Sequence, residues 1–384
     1  MRSVAILDST LREGEQFAGA FFSHEQRLTI TRMLDAVGVA LIEIPSPIVS
    51  EETRNLAREL CALGLRARVV AHVRCVEADV QAALDTPIFG LNLFYGTSVE
   101  LRAYSHGRRI EQIRADAVPL IRRARAAGRY VRFSAEDAFR SDLVDVLTIF
   151  DAVVEAGAQR IGLPDTVGIA SPRQVEELVR LCAARYPQVG IEFHGHNDTG
   201  CAIANTSAAF EAGADCLDSS ILGIGERNGI ASLSGLVAQL YTHYPQLLAS
   251  YDLTRLVPLD QYVAECLHVA IPFNAPITAL SAFTHRAGVH TKAVLCNPRS
   301  YEVLDPADFG LSRHIDAGSR FTGRHAIAHR AAALGLRLNN VEIADLTQAL
   351  KERAEQGPLN QEEVDAFIHA WHHAESGSAI LRHV

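Results

Sequence analysis

The chain has 384 residues, of which 48% are hydrophobic, and it carries a formal net charge of −9. This length allows one large domain with additions or two to three ordinary domains, and the charge argues against a general nucleic-acid binder, which needs a basic face. We find neither an apolar run long enough to span a membrane nor a signal-peptide core at the start. The seven scattered cysteines form no Cys-x-x-Cys pair, which indicates reduced thiols in a cytoplasmic protein.

Short apolar runs alternate with amphipathic stretches through the first ~245 residues. Ser23 is a good N-cap for a helix that ends before Gly38, and Pro172 stands at the first position of another helix. Eight regular units within ~250 residues predict a closed (β/α)8 or TIM barrel of the α/β class, with an open doubly wound sheet as the alternative. The predicted strands are Val4–Leu7, Leu41–Ile44, Ala67–Val73, Gly90–Tyr95, Tyr130–Ser134, Arg160–Leu163, Gly190–Phe193 and Cys216–Ile221.

The alternation of apolar runs and amphipathic stretches ends at about residue 245, and several prolines beyond it, among them Pro258 and Pro298, interrupt the sequence. We therefore expect a catalytic barrel over residues 1–274, followed by a lid and small, mostly helical C-terminal subdomains over residues 275–384. Helical patterns return at residues 324–334, 341–355 and 361–373.

Two histidines follow the seventh predicted strand in a His-x-His pattern. Because alternate residues of a strand point to the same side, His194 and His196 face one way and are able to converge on one metal ion. Glu13, which follows the first strand, would complete a set of two histidines and one carboxylate with positions open for substrate. Mixed nitrogen and oxygen donors suit Mg, Mn, Zn or Co. The alternative is a hydrogen-bonded polar strand end without metal.

An open-sided divalent ion can hold a 2-oxo acid and polarise its carbonyl group. Arg12 could neutralise a developing oxyanion, although a salt bridge to Glu13 or Asp8 is an equal alternative. Arg132 and His72 could receive a second carboxylate of the substrate, and the alternative for His72 is a satisfied core histidine.

Two residues are candidates for acid–base chemistry. His290 is a candidate general base because the ordinary pKa of histidine lies close to neutrality. Glu136 could act with it or could belong to a solvated strand end.

Several motifs together resemble the homocitrate synthases, within the metal-dependent acyl-CoA Claisen condensation enzymes related to isopropylmalate synthase. The resemblance runs from about residue 3 to about residue 370, and long, dispersed motifs of this kind are highly specific. The matching stretches are DSTLREGEQF from Asp8, RFSAED from Arg132, DTVG from Asp165, HGHNDTG from His194, ILGIGERNG from Ile221, HRAGVH from His285 and GSR from Gly318.

This resemblance implies a barrel followed by small subdomains, in a homodimer whose post-barrel region caps the partner's barrel. It implies that His290 removes a methyl proton from acetyl-CoA with the support of Glu136, and that Tyr301 is a lid residue. It also implies a residue close to the metal (Gln16), metal ligands (Glu13, His194, His196) and groups that hold 2-oxoglutarate (Arg12, His72, Arg132, Ser134, Thr166).

The expected activity is that of an acyltransferase that joins acetyl-CoA to 2-oxoglutarate and hydrolyses the product to homocitrate and CoA. His72 and Arg132 suit a 2-oxo dicarboxylic acid, and Ile230 stands where the isopropylmalate branch has Asn. Asn92, however, replaces the Asp that in the family helps to bind the ammonium group of the inhibitor lysine, which weakens the expectation of lysine inhibition. The alternatives are another anionic 2-oxo acid (oxaloacetate or phosphonopyruvate), a metal-dependent acyl-CoA lyase and a non-catalytic barrel.

Overall fold

The computed structural model describes residues 4–381, with side chains described as far as residue 374. The chain forms two compact units, of which the first ends at Thr278 and the second begins at Ala279. None of the described helices is both long and apolar enough to cross a membrane.

Eight parallel strands of the first unit pair in chain order, and the first strand also pairs with the eighth, so the sheet closes into a barrel. This confirms the predicted (β/α)8 barrel, and the open doubly wound alternative is wrong because such a sheet leaves two free edges. The strands are β1 (Ala5–Asp8), β2 (Leu41–Ile44), β3 (Arg68–Arg74), β4 (Gly90–Gly96), β5 (Tyr130–Glu136), β6 (Arg160–Asp165), β7 (Gly190–Gly195) and β8 (Cys216–Ser219).

Helices follow the strands and cover the barrel. The helix after Ser23 and the helix that begins at Pro172 lie where the sequence predicts them, and their buried residues are mainly apolar, as for Leu28, Ile30 and Leu34 of the former. The helices of the first unit are α1 (His24–Val37), α2 (Glu51–Ala62), α3 (Glu77–Leu84), α4 (Val99–Leu101), α5 (Ile110–Ala126), α6 (Leu143–Glu155), α7 (Pro172–Arg185), α8 (Ala202–Ala212), α9 (Leu233–His243) and α10 (Leu256–Leu267).

The ends of α1 show why the local signals are reliable. The Ser23 side chain accepts a hydrogen bond from the Gln26 backbone, the Gln26 side chain accepts one from the Ser23 backbone, and Gly38 ends the helix with a φ of 108°. The predicted end of the eighth strand at Ile221 was wrong, because β8 ends at Ser219, before a turn in which Leu222 has a φ of 58°. Helix α8 begins at Ala202, and the Asn197 side chain accepts the Ala202 N–H at 3.2 Å.

The second unit is mostly helical, as predicted. It contains a two-stranded sheet, and its core is formed by apolar residues of three helices, with Ile327, Leu350 and Ile368 among the fully buried ones. Its elements are β9 (Thr284–His285), α11 (Gly288–Cys296), β10 (His314–Ile315), α12 (Arg324–Ala333), α13 (Asn340–Ala354) and α14 (Gln361–Leu381).

Candidate active site

The three predicted metal ligands meet at the carboxyl-terminal end of the barrel. Glu13 ends a tight turn after β1, in which the Glu13 backbone N–H donates a hydrogen bond to the Ser9 carbonyl at 2.7 Å. His194 lies in β7, and His196 follows directly after that strand. One donor atom from each residue lies within 4.8 Å of the others, and His196 Nε2 is 3.8 Å from Glu13 Oε1. Two atoms that each sit about 2.1 Å from a shared ion are at most about 4.2 Å apart, so the distance between His196 and Glu13 fits a shared ion and the limit for the whole group lies close to that span.

The protonation states of these three groups also fit a metal ion. Burial lowers the pKa of His194 to about 4, and burial followed by the charge of His194 does the same for His196. Burial opposes ionisation of Glu13, but the Arg12 guanidinium and the two imidazoles outweigh it and lower the pKa of Glu13 to about 2. The group therefore offers two neutral imidazoles and one carboxylate, which are the forms that bind metal.

The metal-free alternative leaves one buried group unsatisfied. Nδ1 of His196 is buried and has no hydrogen-bond partner among the described residues. A buried polar atom without a partner is costly, and a hydrogen-bonded strand end would not contain one. His196 is therefore not the hydrogen-bonded residue that the structural alternative requires, and the donor set and its spacing are what fit an ion.

Glu43 organises the two arginines at the floor of this site. It is fully buried in β2, and it accepts hydrogen bonds from Arg12 Nε at 2.7 Å and from Arg132 at 3.0 Å. Arg12 also donates to Glu13, so the salt-bridge alternative is correct for Glu13, whereas Asp8 instead accepts the backbone N–H of Thr10. The arginines are thus fixed in place rather than free to move.

Arg132 is itself 3% exposed, and a second carboxylate, Glu192, lies 2.9 Å from its guanidinium. Arg132 also donates to the hydroxyl of Ser134, two residues along β5. The neighbouring strand leaves room for that hydroxyl only because it has Gly162, where a Cβ would lie 2.1 Å from Ser134 Oγ.

Asn92 and His72 complete the surroundings of Glu43. Asn92 donates its amide hydrogen to Glu43 at 2.5 Å, so the amide fills a place where an Asp would face another carboxylate. His72 stacks on Phe94 with ring centroids 4.1 Å apart, and its Nδ1 is 3.5 Å from Glu43. Burial, assisted by Arg12, lowers the pKa of His72 to about 4, so this residue is a neutral hydrogen-bonding group near neutral pH.

Two loops are tied together beside the ligands. Arg227, which follows β8 with a φ of 56°, donates to both carboxylate oxygens of Asp198 and to the Thr166 carbonyl. The Thr166 hydroxyl accepts the backbone N–H of Asp137 at 2.9 Å, directly after Glu136. Burial raises the pKa of Glu136, with the charge of Asp137 as a second cause.

A cavity of about 340 Å³ opens among these groups. It brings together all the predicted site residues that belong to the barrel, including Gln16, which is exposed at its edge. Its lining residues are Arg12, Glu13, Gln16, His72, Phe94, Arg132, Ser134, Glu136, Pro164, Thr166, His194, His196, Asp218, Glu226 and Arg227.

A larger cavity, of about 850 Å³, lies at the opposite, amino-terminal ends of the strands. It contains none of the predicted site residues and is lined by groups such as Phe89, Tyr130 and Arg160. In barrels of this type the chemistry takes place at the carboxyl-terminal ends, so we assign the site to the smaller cavity.

His290 and Tyr301 lie in the second unit. His290 is exposed in α11, Tyr301 is 49% exposed, and their ring centroids are 4.3 Å apart. The structure thus brings these two predicted residues together with each other.

Two carboxylates that contact the proposed binding groups, Glu43 and Asp218, were not predicted from the sequence. Each is a carboxylate inside a short apolar strand, and a charged residue in such a position is rarely buried unless it is paired. That pattern was the available signal, although the sequence could not show which partners they take.

Each of the two units matches a known protein family. Residues 3–263 match the HMGL-like family, and residues 277–358 match the family described as homocitrate synthase post-HMGL domain-like. Among solved structures, the HMG-CoA lyase of Bacillus subtilis is similar, with a TM-score of 0.63 and 22% identity over 71% of this chain and 96% of that one. At this identity the likeness concerns the fold alone.

Two curated relatives from Saccharomyces cerevisiae are similar over almost their whole length. The mitochondrial homocitrate synthase is 46% identical over 100% of this chain and 87% of its own. The cytosolic isozyme is also 46% identical, over 98% of this chain and 88% of its own. The chain therefore belongs to the homocitrate synthase family.

Proposed function

We propose that this protein is an acyltransferase that condenses acetyl-CoA with 2-oxoglutarate and hydrolyses the thioester, releasing homocitrate and CoA. The observation that carries this proposal is the pair of largely buried guanidinium groups, Arg12 and Arg132, in the cavity that Glu13, His194 and His196 also line. Carboxylates of the chain already orient both arginines, and guanidinium forks beside a proposed divalent ion suit the two carboxylates of a small dianion.

A divalent ion held by Glu13, His194 and His196 would supply Lewis-acid polarisation of the keto group. The mixed donor set suits Mg, Mn, Zn or Co. The proposed roles of the chain's own side chains do not depend on which of these ions is bound.

Arg132 is the proposed receptor for the distal carboxylate of the oxo acid. Its ion pairs with Glu43 and Glu192 hold the guanidinium in one orientation, so little conformational entropy is lost when the substrate binds. The neutral His72 and the hydroxyls of Ser134 and Thr166 would add hydrogen bonds. Arg12, adjacent to Glu13, would neutralise the oxygen that becomes negative as the new bond forms.

His290 is the proposed base. It would remove a proton from the methyl group of acetyl-CoA, with Glu136 in support and Tyr301 covering the site. The resulting carbanion would attack the keto carbon of 2-oxoglutarate. Water would then cleave the thioester and release the thiol of CoA.

A homodimer would bring a surface of the partner chain to the proposed active site. Several apolar residues of the second unit are strongly exposed, among them Val289, which precedes His290, at 75% and Phe321 at 60%. Exposed apolar groups favour burial against another chain. We propose that the second unit of one chain caps the barrel of its partner. A cytoplasmic location stays a prediction, since the two yeast relatives work in different compartments.

Release of free thiol from acetyl-CoA in the presence of Mg²⁺ or Mn²⁺ tests the proposal. The panel of acceptors would contain 2-oxoglutarate, oxaloacetate, 2-oxoisovalerate, pyruvate and phosphonopyruvate, with a metal-chelated sample as control. A strong preference for 2-oxoglutarate is expected. A preference for oxaloacetate or phosphonopyruvate would overturn the substrate assignment, and activity that survives complete removal of metal would overturn the role of the ion.

A further inference from the structure

One carboxylate below the proposed metal site has no role in the function described so far. Asp218 lies in β8, beside β7, and the register that pairs Phe193 with Leu217 brings it next to His194. Its Oδ2 is 2.9 Å from Nδ1 of His194, and Asp218 is 1% exposed. This contact is therefore shielded from water.

The contact decides which nitrogen of His194 is available. An ionised carboxylate only accepts hydrogen bonds, so while Asp218 is ionised Nδ1 of His194 carries the hydrogen and donates it to Asp218. Nε2 is then the nitrogen with a free lone pair, in a ring whose donor atom lies within 4.8 Å of those of Glu13 and His196. The same bond restrains rotation of the ring.

His196 provides the contrast. Its Nδ1 is buried, yet it contacts no hydrogen-bond partner in the described part of the chain. Of the two proposed histidine ligands, His194 alone is oriented by a carboxylate among these residues. Asp218 is thus the carboxylate that can fix the orientation of one of these two rings before the metal binds.

Asp218 also lies close to the groups that hold the oxo acid. Donor atoms of Glu192, Cys216 and Asp218 lie within 4.8 Å of one another, and Glu192 forms an ion pair with Arg132 at 2.9 Å. Because Asp218 is engaged with His194 and Glu192 with Arg132, we read this buried group as a support for the site and not as a second metal site.

We propose that Asp218 is a positioning residue that holds His194 with its hydrogen on Nδ1 and its Nε2 directed at the metal position. This inference rests on the proposed metal site of the enzyme. Carboxylates that support metal-binding histidines typically contribute 10- to 100-fold, roughly, to metal affinity, mainly by fixing the tautomer and the ring orientation.

Binding of Co²⁺ to the full-length protein, measured by calorimetry and by the visible absorption of the bound ion, tests the proposal without reference to turnover. We expect D218A to bind Co²⁺ about 10- to 100-fold more weakly than the unaltered protein. The matched control is D260A, which removes an equally buried carboxylate of α10 that accepts a hydrogen bond from the Thr278 hydroxyl. It is expected to stay within about twofold in Co²⁺ affinity.

Equal Co²⁺ affinity in D218A and the unaltered protein, or an equal loss in D218A and D260A, would overturn the positioning role. Failure of the unaltered protein to bind Co²⁺ would instead overturn the metal site itself, so the two failures are distinguishable.

A second measurement needs no substitution of Asp218. Nitrogen-15 NMR of histidine-labelled protein without metal, with the His194 signal identified by its loss in H194Q, reports which ring nitrogen carries the hydrogen. Protonation at Nδ1 of a neutral His194 supports the proposal, and protonation at Nε2 contradicts it.

Discussion

The two groups of proposed catalytic residues lie in very different surroundings. At the barrel end, Glu13, Glu43 and Arg132 are nearly inaccessible to water, and each is ion-paired. In the second unit, His290 is exposed and Tyr301 is half exposed. Folding of the barrel alone thus fixes the binding groups, whereas the proposed base still needs another surface to exclude water. This difference predicts that binding and proton transfer can be separated by mutation.

The largest separation is expected for H290A. Loss of a general base should lower kcat by about 10²- to 10⁴-fold. The affinity for 2-oxoglutarate, measured by titration in the presence of metal, should change less than about twofold because the barrel groups are untouched. Full turnover in H290A would contradict the assigned role.

Mixing H290A with E13A sharpens this comparison. If His290 of one chain serves the barrel of its partner, random exchange of subunits gives heterodimers with one intact site, and about a quarter of the activity should return. Failure to recover activity in a sample that contains heterodimers would place His290 in the same site as Glu13 of its own chain.

A substitution at Glu43 tests how strongly the barrel end is preorganised. E43Q removes a fully buried charge from between Arg12 and Arg132, and loss of one partner of a buried ion pair costs about 3–5 kcal/mol. We therefore expect a loss of this size in the free energy of unfolding by urea, together with a raised KM for the oxo acid.

The matched control for E43Q is E59Q at the surface. Glu59 is half exposed and contacts His24 at 2.8 Å, and loss of an exposed pair costs about 1 kcal/mol or less. Equal stability of E43Q and E59Q would show that Glu43 does not hold the arginines.

Asp8 tests the cost of burying a carboxylate without a cation. Burial raises the pKa of Asp8 from its ordinary value of 3.8 to about 7, although hydrogen bonds from Thr10 oppose the shift. The folded state therefore keeps a proton that the unfolded chain releases near pH 4. This contribution to stability is complete below about pH 4 and is lost as the pH rises towards 7.

D8N cannot ionise and should escape that loss. Between pH 5 and pH 8 the free energy of unfolding of D8N, relative to the unaltered protein, should rise by about 2–3 kcal/mol. Urea unfolding of both proteins at the two pH values measures this difference. A difference that is independent of pH, or that falls as the pH rises, would contradict the raised pKa.

The smallest effect concerns Asn92. Because its amide donates to Glu43, lysine should inhibit the unaltered enzyme weakly. N92D would place a second carboxylate beside Glu43 and so attract an ammonium group, and we expect lysine to inhibit this variant about tenfold more strongly. Norleucine, which lacks that ammonium group, is the control. Strong inhibition of the unaltered enzyme by lysine would contradict the assigned role of Asn92.

The sequence by itself determined the architecture and most of the proposed site. Strand and helix periods are local, so eight units could be counted, and the order of parallel strands in a barrel places every residue after a strand at one mouth. His194 and His196 fall on one side of β7 for the same local reason. Ser23 and Gly38 bounded α1 because their hydrogen bonds involve neighbouring residues.

Only the tertiary structure decided which charged groups meet. Glu43 and Arg132 are 89 residues apart, and the N–H of Glu226 that binds Glu13 lies 213 residues along the chain. His194 and Asp218 likewise come together because β7 and β8 are adjacent. Closure of the barrel sets these distances, and no local pattern encodes them, because each partner is chosen by the curvature and register of strands that are remote in sequence.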